Sequence, residues 1–167
     1  MKQLFLTLAL LLAGAVATAQ NCIVVNSEKI FKSIDAYNTA IAELDKLAEQ
    51  YQTQVDNRFK EVENLYNTYQ SQKASLNAAT RQTFEDAIIQ KEEEATAFQE
   101  SLFGNEGALM KQRVAKIKPI QERVFEAISS YAAKVGADVV IDSSNNPTLL
   151  FSAERVDRTS EIIALLK

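Results

Sequence analysis

From residue 30 onward the apolar positions of the chain recur every seven residues. Ile34, Ile41, Ala48, Val55, Val62, Tyr69 and Leu76 form one series, and Ile30, Tyr37, Leu44, Tyr51, Arg58, Leu65 and Gln72 form a second that alternates with it in steps of three and four. Positions at that spacing share one side of a helix and make a coiled-coil seam. No Gly or Pro interrupts residues 21–103. The backbone chemistry therefore permits one helix from Ser27, the expected N-cap, to about Leu76, roughly fifty residues and roughly 75 Å at the usual rise. A rod of that length does not fit inside a globule of 167 residues, so it is expected to project.

Asn77 is a natural break and cap, and Ala78-Ala79-Thr80 begins a second helix running back along the first. Its seam holds Phe84, Ile88, Ala95, Phe98, Leu102 and Leu109, then resumes one residue out of phase with Met110, Val114, Ile117, Val124, Ile128, Tyr131 and Val135. The slip falls at Gly104-Asn105-Glu106-Gly107, read as a soft spot within one helix, where each glycine costs about 1 kcal/mol relative to alanine. Replacing both by alanine is expected to stiffen it. Pro119 predicts a kink or the start of a fresh helix, and Gly136 a C-terminal cap. Folding about Asn77 pairs residues whose numbers add to roughly 154, setting Arg58 and Lys60 across from the Glu94 region and Glu43 across from Lys111.

Both ends of the chain read differently. Cys22-Ile23-Val24-Val25-Asn26 is a buried strand by its β-branched content, residues 137–142 (ADVVID) a second strand, and residues 148–151 (TLLF) a third paired to it. A capped helix follows from Asp157 with Leu165 and Leu166 on its apolar side. Three strands drawn from both ends must meet in one small β body, and a body of about 60 residues buries only about 60% of its chain surface. Oligomerisation would complete its core and close its sheet edges. Val24, Val25, Val139, Ile141, Leu150 and Ile162 are the candidate residues of that oligomerisation body.

Residues 1–19 read as an export signal: Lys2, an apolar run over residues 4–16, and Ala17-Thr18-Ala19 for cleavage. The run is short of the roughly 20 residues needed to span a bilayer, and Asn21 before Cys22 departs from a lipidation site. A lone cysteine allows no internal disulfide. The chain carries 18 basic and 22 acidic residues, and loss of Lys2 with the signal leaves 17 against 22, a net charge of −5. That balance disfavours nucleic acid as a partner. The absence of His removes the usual general base, and no glycine-rich phosphate loop is present, so neither catalysis nor a cofactor or metal is expected. Glu92-Glu93-Glu94 point about 100° apart on a helix and cannot converge on one ion.

The opening Ile23-Val24-Val25-Asn26-Ser27-Glu28-Lys29-Ile30-Phe31, the Lys118-Pro119-Ile120 segment, Gly136-Ala137-Asp138-Val139-Val140-Ile141-Asp142 and the Asp157-to-Leu166 ending resemble the OmpH/Skp family of periplasmic chaperones for outer-membrane proteins. The resemblance implies an α+β fold: a long antiparallel helical hairpin, the coiled-coil arm, over residues 37–118 with its tip near 77–80. It projects from a small β-barrel-like oligomerisation body of residues 20–36 and 119–167, assembled as a homotrimer. It implies a periplasmic, ATP-independent holdase that sequesters unfolded outer-membrane β-barrels between its arms, without stable membrane insertion after signal cleavage. Phe59, Tyr66, Phe84, Ile89 and Phe103 beside the seam, with the basic group Lys111, Arg113, Lys116 and Lys118, are the candidate client contacts. Well-known members of the family are basic; this chain has 10 basic against 13 acidic residues over 43–118, so no lipopolysaccharide site is carried over. The alternative is a structural or adaptor coiled coil of the envelope that binds no unfolded client.

Overall fold

The computed structural model describes residues 21–167; the expected export signal lies outside the described residues. Along the chain run β1 (Cys22–Val25), α1 (Ser27–Lys32), α2 (Asp35–Gln72), α3 (Ala78–Phe103), α4 (Ala108–Val135), β2 (Val139–Asp142), a 3-10 turn (Glu154–Val156) and α5 (Thr159–Leu166). Two units result. One holds the described residues up to Ile30 together with Phe125–Lys167, the other Phe31–Val124.

In the first unit β1 and β2 pair in parallel, from Cys22 against Val139 to Val25 against Asp142. Ile23, Val24 and Val25 are buried, as a strand covered on both faces must be, whereas β2 exposes both of its ends. Val24 also bridges Asp157, and its carbonyl accepts the Arg158 N–H at 2.8 Å. Asn26, not Ser27, caps α1: its Oδ1 accepts the Lys29 N–H at 2.9 Å and its carbonyl the Ile30 N–H at 3.1 Å. Ser27 sits one residue inside and turns its hydroxyl to Asp142, at 2.5 Å. The end of α4 closes in a Schellman arrangement, with Ala137 N–H on the Ala132 carbonyl and Gly136 N–H on Ala133. That geometry needs the positive φ of 63° that Gly136 supplies. Asn21 Nδ2 then donates to the Val135 and Gly136 carbonyls.

The third strand expected over residues 148–151 does not form. Asn146 Oδ1 takes both the N–H and the hydroxyl of Thr148, at 3.2 and 2.7 Å, while its amide donates to the Asp142 carbonyl at 3.1 Å. These local bonds hold the segment in a turn instead of a ladder, and Leu150 and Phe151 are left 93% and 82% exposed. Among the described residues the sheet is two strands and a bridge. In α5, Thr159, Ile162 and Leu166 are the buried positions; Leu165, expected beside Leu166 on the apolar side, is exposed.

In the second unit the expected helix from Ser27 to Leu76 is broken at its start. Ile34 is extended at φ −98° and ψ 113°, and the break is satisfied locally: Ile34 N–H reaches the Phe31 carbonyl and the Asn38 amide donates to the Lys32 carbonyl at 2.9 Å. Phe31 and Tyr37 pack with ring centroids 5.2 Å apart across it. The uninterrupted helix is α2, whose 38 residues give roughly 57 Å. Along both seven-residue series every apolar position is buried or half-buried; only Arg58 and Gln72 face solvent. Asn77 caps α3 as expected, accepting the Thr80 N–H at 2.9 Å.

Near the tip the two helices keep the expected register. Tyr69 stacks on Phe84 at 5.8 Å, Arg58 lies 4.7 Å over Phe98, and Tyr51 meets Phe103 edge-on at 6.3 Å. The register then jumps. Residues 104–107 form a true interruption between α3 and α4, not a soft spot within a helix. Beyond it Glu43 pairs with Lys116 at 2.6 Å, not with Lys111, and Ala40 and Leu44 form a core with Ile117. The turn takes residues out of the helical rise, so α4 meets α2 later in its sequence. Met110 and Val114, expected on the seam, are exposed, while Leu109, Ile117 and Ile120 pack inward. α4 runs unbroken through Pro119, so no fresh helix starts there.

The turn reverses the effect expected of alanine at its glycines. A Cβ on Gly107 would lie 2.7 Å from the Leu102 carbonyl oxygen and 2.9 Å from Gly104 N, and one on Gly104 2.5 Å from the Glu100 oxygen. Gly107→Ala should destabilise the protein by about 1–3 kcal/mol, the usual range for an overpacked site, where a glycine inside a helix would have gained about 1 kcal/mol from the change. Urea unfolding followed by circular dichroism gives the sign.

A second expectation concerns acid. Partial burial pushes the Asp142 carboxyl up, but the bonds from Ser27 and Ser144 outweigh it and hold it below the usual carboxylate range. Asp157 is also held low, chiefly by the Thr159 hydroxyl at 2.6 Å. Carboxyls with depressed folded pKa values stabilise above their unfolded value, about 3.9, and lose that contribution as pH falls through the folded one. Asp142→Asn and Asp157→Asn should lower the melting temperature at pH 7, and the gap to the parent should close below about pH 4.

Candidate functional site

The six residues expected to form an oligomerisation surface divide into two kinds. Val24, Val25 and Ile162 are at most 4% exposed and belong to this chain's own core. Val139 is exposed, Ile141 half-buried and Leu150 almost bare. Phe151, Phe125 and Leu165 add large exposed apolar side chains to the same unit. Sequence reasoning missed Phe151 because it assigned residues 148–151 to a strand, which would have turned one of the two neighbours inward.

The candidate client contacts divide similarly. Phe84 and Phe103 are spent on the helix pair, against Tyr69 and Tyr51. Phe59 is half-buried, and Tyr66 and Ile89 are about half exposed. Lys116 is paired with Glu43, and Lys118 stands 3.8 Å from Glu122. Lys111 and Arg113 are exposed. Lys111 flanks a shallow groove of about 400 Å³ that is lined by Met110, Val114, Ala115, Asn105 and Glu106. Met110 and Val114 escaped the sequence reading because the turn at residues 104–107 was taken as a one-residue slip.

The two flanks of the α2 and α3 pair are chemically unlike. On one, Phe59 and Tyr66 are a heptad apart, with Asp56 and Glu63 interleaved at steps of three and four, which makes a continuous ridge. α3 answers with Glu85, Ile89 and Glu92 at the same steps. Contacts tie these ridges to one side: the Tyr69 hydroxyl donates to Glu85 Oε1, Lys73 lies 5.3 Å over the Tyr69 ring, and the Tyr69 phenol is held above its ordinary pKa by the Glu85 bond first, with Tyr66 also contributing. On the other flank Gln54, Asn57, Arg58, Glu61 and Phe98 line a cleft. There Glu94 is held below the usual range by its bonds from Lys91 and Gln90. That flank is polar with mixed charge; the first is aromatic and acidic.

Among the described residues no group of three or more His, Cys, Asp or Glu side chains is placed to hold a metal ion, and no helix is long and apolar enough to cross a membrane. The family described as outer membrane protein (OmpH-like) matches residues 21–166. Comparison with curated proteins gave no match. With its whole described length but the last residue inside that match, the chain belongs to the OmpH-like family, the periplasmic chaperone family of outer-membrane proteins.

Proposed function

We propose that this protein is an ATP-independent periplasmic holdase, exported with cleavage after Ala19, that keeps unfolded outer-membrane β-barrels soluble within a cavity between the helical arms of a homotrimer. The observation that carries the reading is the set of apolar side chains the helix pairs do not use: Tyr66, Ile89, Met110 and Val114 are each about half exposed. An unfolded barrel strand presents alternate apolar residues and unpaired backbone. A helix surface offers it many weak apolar contacts and no strand edge on which to aggregate. Release then needs no nucleotide, because each contact is individually weak.

Assembly through the strand unit is supported by the half-covered β2 and by Leu150 and Phe151. Two strands are too few for a stable sheet or a barrel, and strands or apolar side chains from further copies would supply what one chain lacks. Light scattering on the mature protein should give about three times the monomer mass. Leu150→Asp with Phe151→Asp should leave a folded monomer: both side chains are solvated in the single chain, so the new charges cost its fold little and act only where a copy would desolvate them. A trimer that survives both changes would refute assembly through this segment.

The holdase reading is tested by diluting a urea-unfolded outer-membrane barrel into buffer with and without the protein. Aggregation, followed by turbidity, should be suppressed at about one trimer per client with no nucleotide added. Failure with several unrelated barrels would leave the helices as a spacer between envelope components.

A further inference from the structure

We propose that the aromatic, acidic flank of the α2 and α3 pair binds cationic amphipathic segments, stretches of extended chain in which Lys or Arg alternates with apolar residues. The inference rests on the holdase reading and names the kind of client sequence this surface selects. Its carrier is the interleaving of two chemistries. Along α2, Asp56, Phe59, Glu63 and Tyr66 follow one another at steps of three, four and three, so each apolar ring lies beside a carboxylate one turn away. Along α3, Ile89 has Glu85 four residues before it and Glu92 three after.

The packing brings these two ridges to the same side. The bond from Tyr69 to Glu85 joins the helices at the level of Tyr66, and the register of Tyr69 on Phe84 sets Ile89 near that level as well. Tyr66 and Ile89 are 48% and 55% exposed. The carboxylates are also available. Asp56 accepts only the neutral Gln52 amide, at 2.8 Å, and among the described residues no ion pair engages Asp56, Glu63 or Glu92. The opposite flank provides the contrast, since Arg58 and Lys91 there stand among Glu61 and Glu94. One side thus presents apolar area with net negative charge, four carboxylates against Lys73 at its tip end, the other a balanced polar surface.

A purely apolar segment would gain from Phe59, Tyr66 and Ile89 but nothing from the carboxylates. An acidic amphipathic segment would be repelled. A segment alternating apolar and basic residues satisfies both, because in extended chain successive side chains point to opposite sides and long Lys or Arg side chains bend back to reach flanking charge. Basic residues over the tyrosine face gain a further cation–π attraction.

The test uses the full mature protein and two labelled peptides of about a dozen residues, one alternating Val and Phe with Lys, the other with Glu in place of Lys. Fluorescence anisotropy should show the basic peptide binding at least about tenfold tighter at roughly 20 mM salt, an advantage that shrinks at roughly 150 mM as screening shortens the reach of the charges. Asp56→Asn, Glu63→Gln and Glu92→Gln together should weaken the basic peptide about tenfold, the combined effect of three exposed pairs, while Glu61→Gln on the opposite flank changes nothing. Tyr66→Ser with Ile89→Ser should weaken it as well, with helicity by circular dichroism unchanged in every variant.

Equal binding of the two peptides, or an equal loss from Glu61→Gln, overturns the proposal. Turbidity assays with unfolded barrels separate it from the reading beneath it. Suppression of aggregation that the triple carboxylate variant retains, alongside unselective peptide binding, leaves the holdase standing and removes this flank. Selective peptide binding without any suppression keeps the flank and removes the holdase.

Discussion

A seven-residue apolar period on a long helix is an obligation to find a second helix, because the stripe it creates is too narrow to bury against a sheet and too long to leave wet. In this chain α2 is answered by α3 near the tip and by α4 beyond the glycine turn, and each apolar seam residue of α2 is at least half-buried as a result. Everything else in the helical unit follows from how that seam is shared. Arg58 occupies a seam position yet keeps its charge in water by lying over the Phe98 ring, and Tyr69 is accommodated at 3% exposure because its hydroxyl finds Glu85.

The glycine turn is where the shared seam changes hands. By spacing, Leu109 and Ile120 continue the face of Leu102, whereas Met110 and Val114 lie roughly 80° and 120° around the helix from it. Four residues outside the helix shift the level at which α4 meets α2, and Leu109, Ile117 and Ile120 pack there with Ala40 and Leu44. The carbonyl of Leu102 approaches Gly107 so closely that only glycine fits. A local backbone constraint thereby sets the register of α4 on α2, while Met110 and Val114, off that face, stay at the surface.

Most of the helical architecture was legible from period alone, since the seam residues, the Asn77 cap and the register near the tip depend on spacing that any reader of the chain can count. What spacing does not contain is the size of an interruption. A phase slip of one residue looks the same whether a helix bends or breaks, and so Lys111 was paired with Glu43 where Lys116 stands. The break at Ile34 was invisible for a related reason: neither Gly nor Pro marks it, and it is held by the Asn38 side chain and the Phe31 and Tyr37 rings. In the strand unit β1 and β2 were readable from β-branched runs. Residues 148–151 were not, because Asn146 binds Thr148 locally, and strand propensity does not weigh a side chain that competes with the ladder. Of the candidate contacts, Tyr66 and Ile89 lie beside the seam and are about half exposed, and Phe84 fell on the seam by spacing; Phe103 was not separable from the first two by sequence, since whether an aromatic residue faces its partner helix or water turns on a rotation of a few tens of degrees.

The chemistry of this protein's surfaces suits the reversible capture proposed for them. With no histidine and few buried polar groups among the described residues, its surfaces act through shape, apolar area and charge, terms that fall off gradually and can be summed over many weak contacts. A chaperone surface must hold a chain without templating its aggregation, which argues for helices over open strands. It must also discriminate unfolded from folded chains, and extended segments with accessible apolar residues are the feature that distinguishes them. Placing carboxylates at helical steps beside Phe59, Tyr66 and Ile89 adds a second filter at little cost to the fold, because on exposed helix positions the exchange of one polar residue for another changes stability by only about 0.5 kcal/mol. Selectivity of that kind is free to differ between members of one family while the seam that builds the helices stays the same.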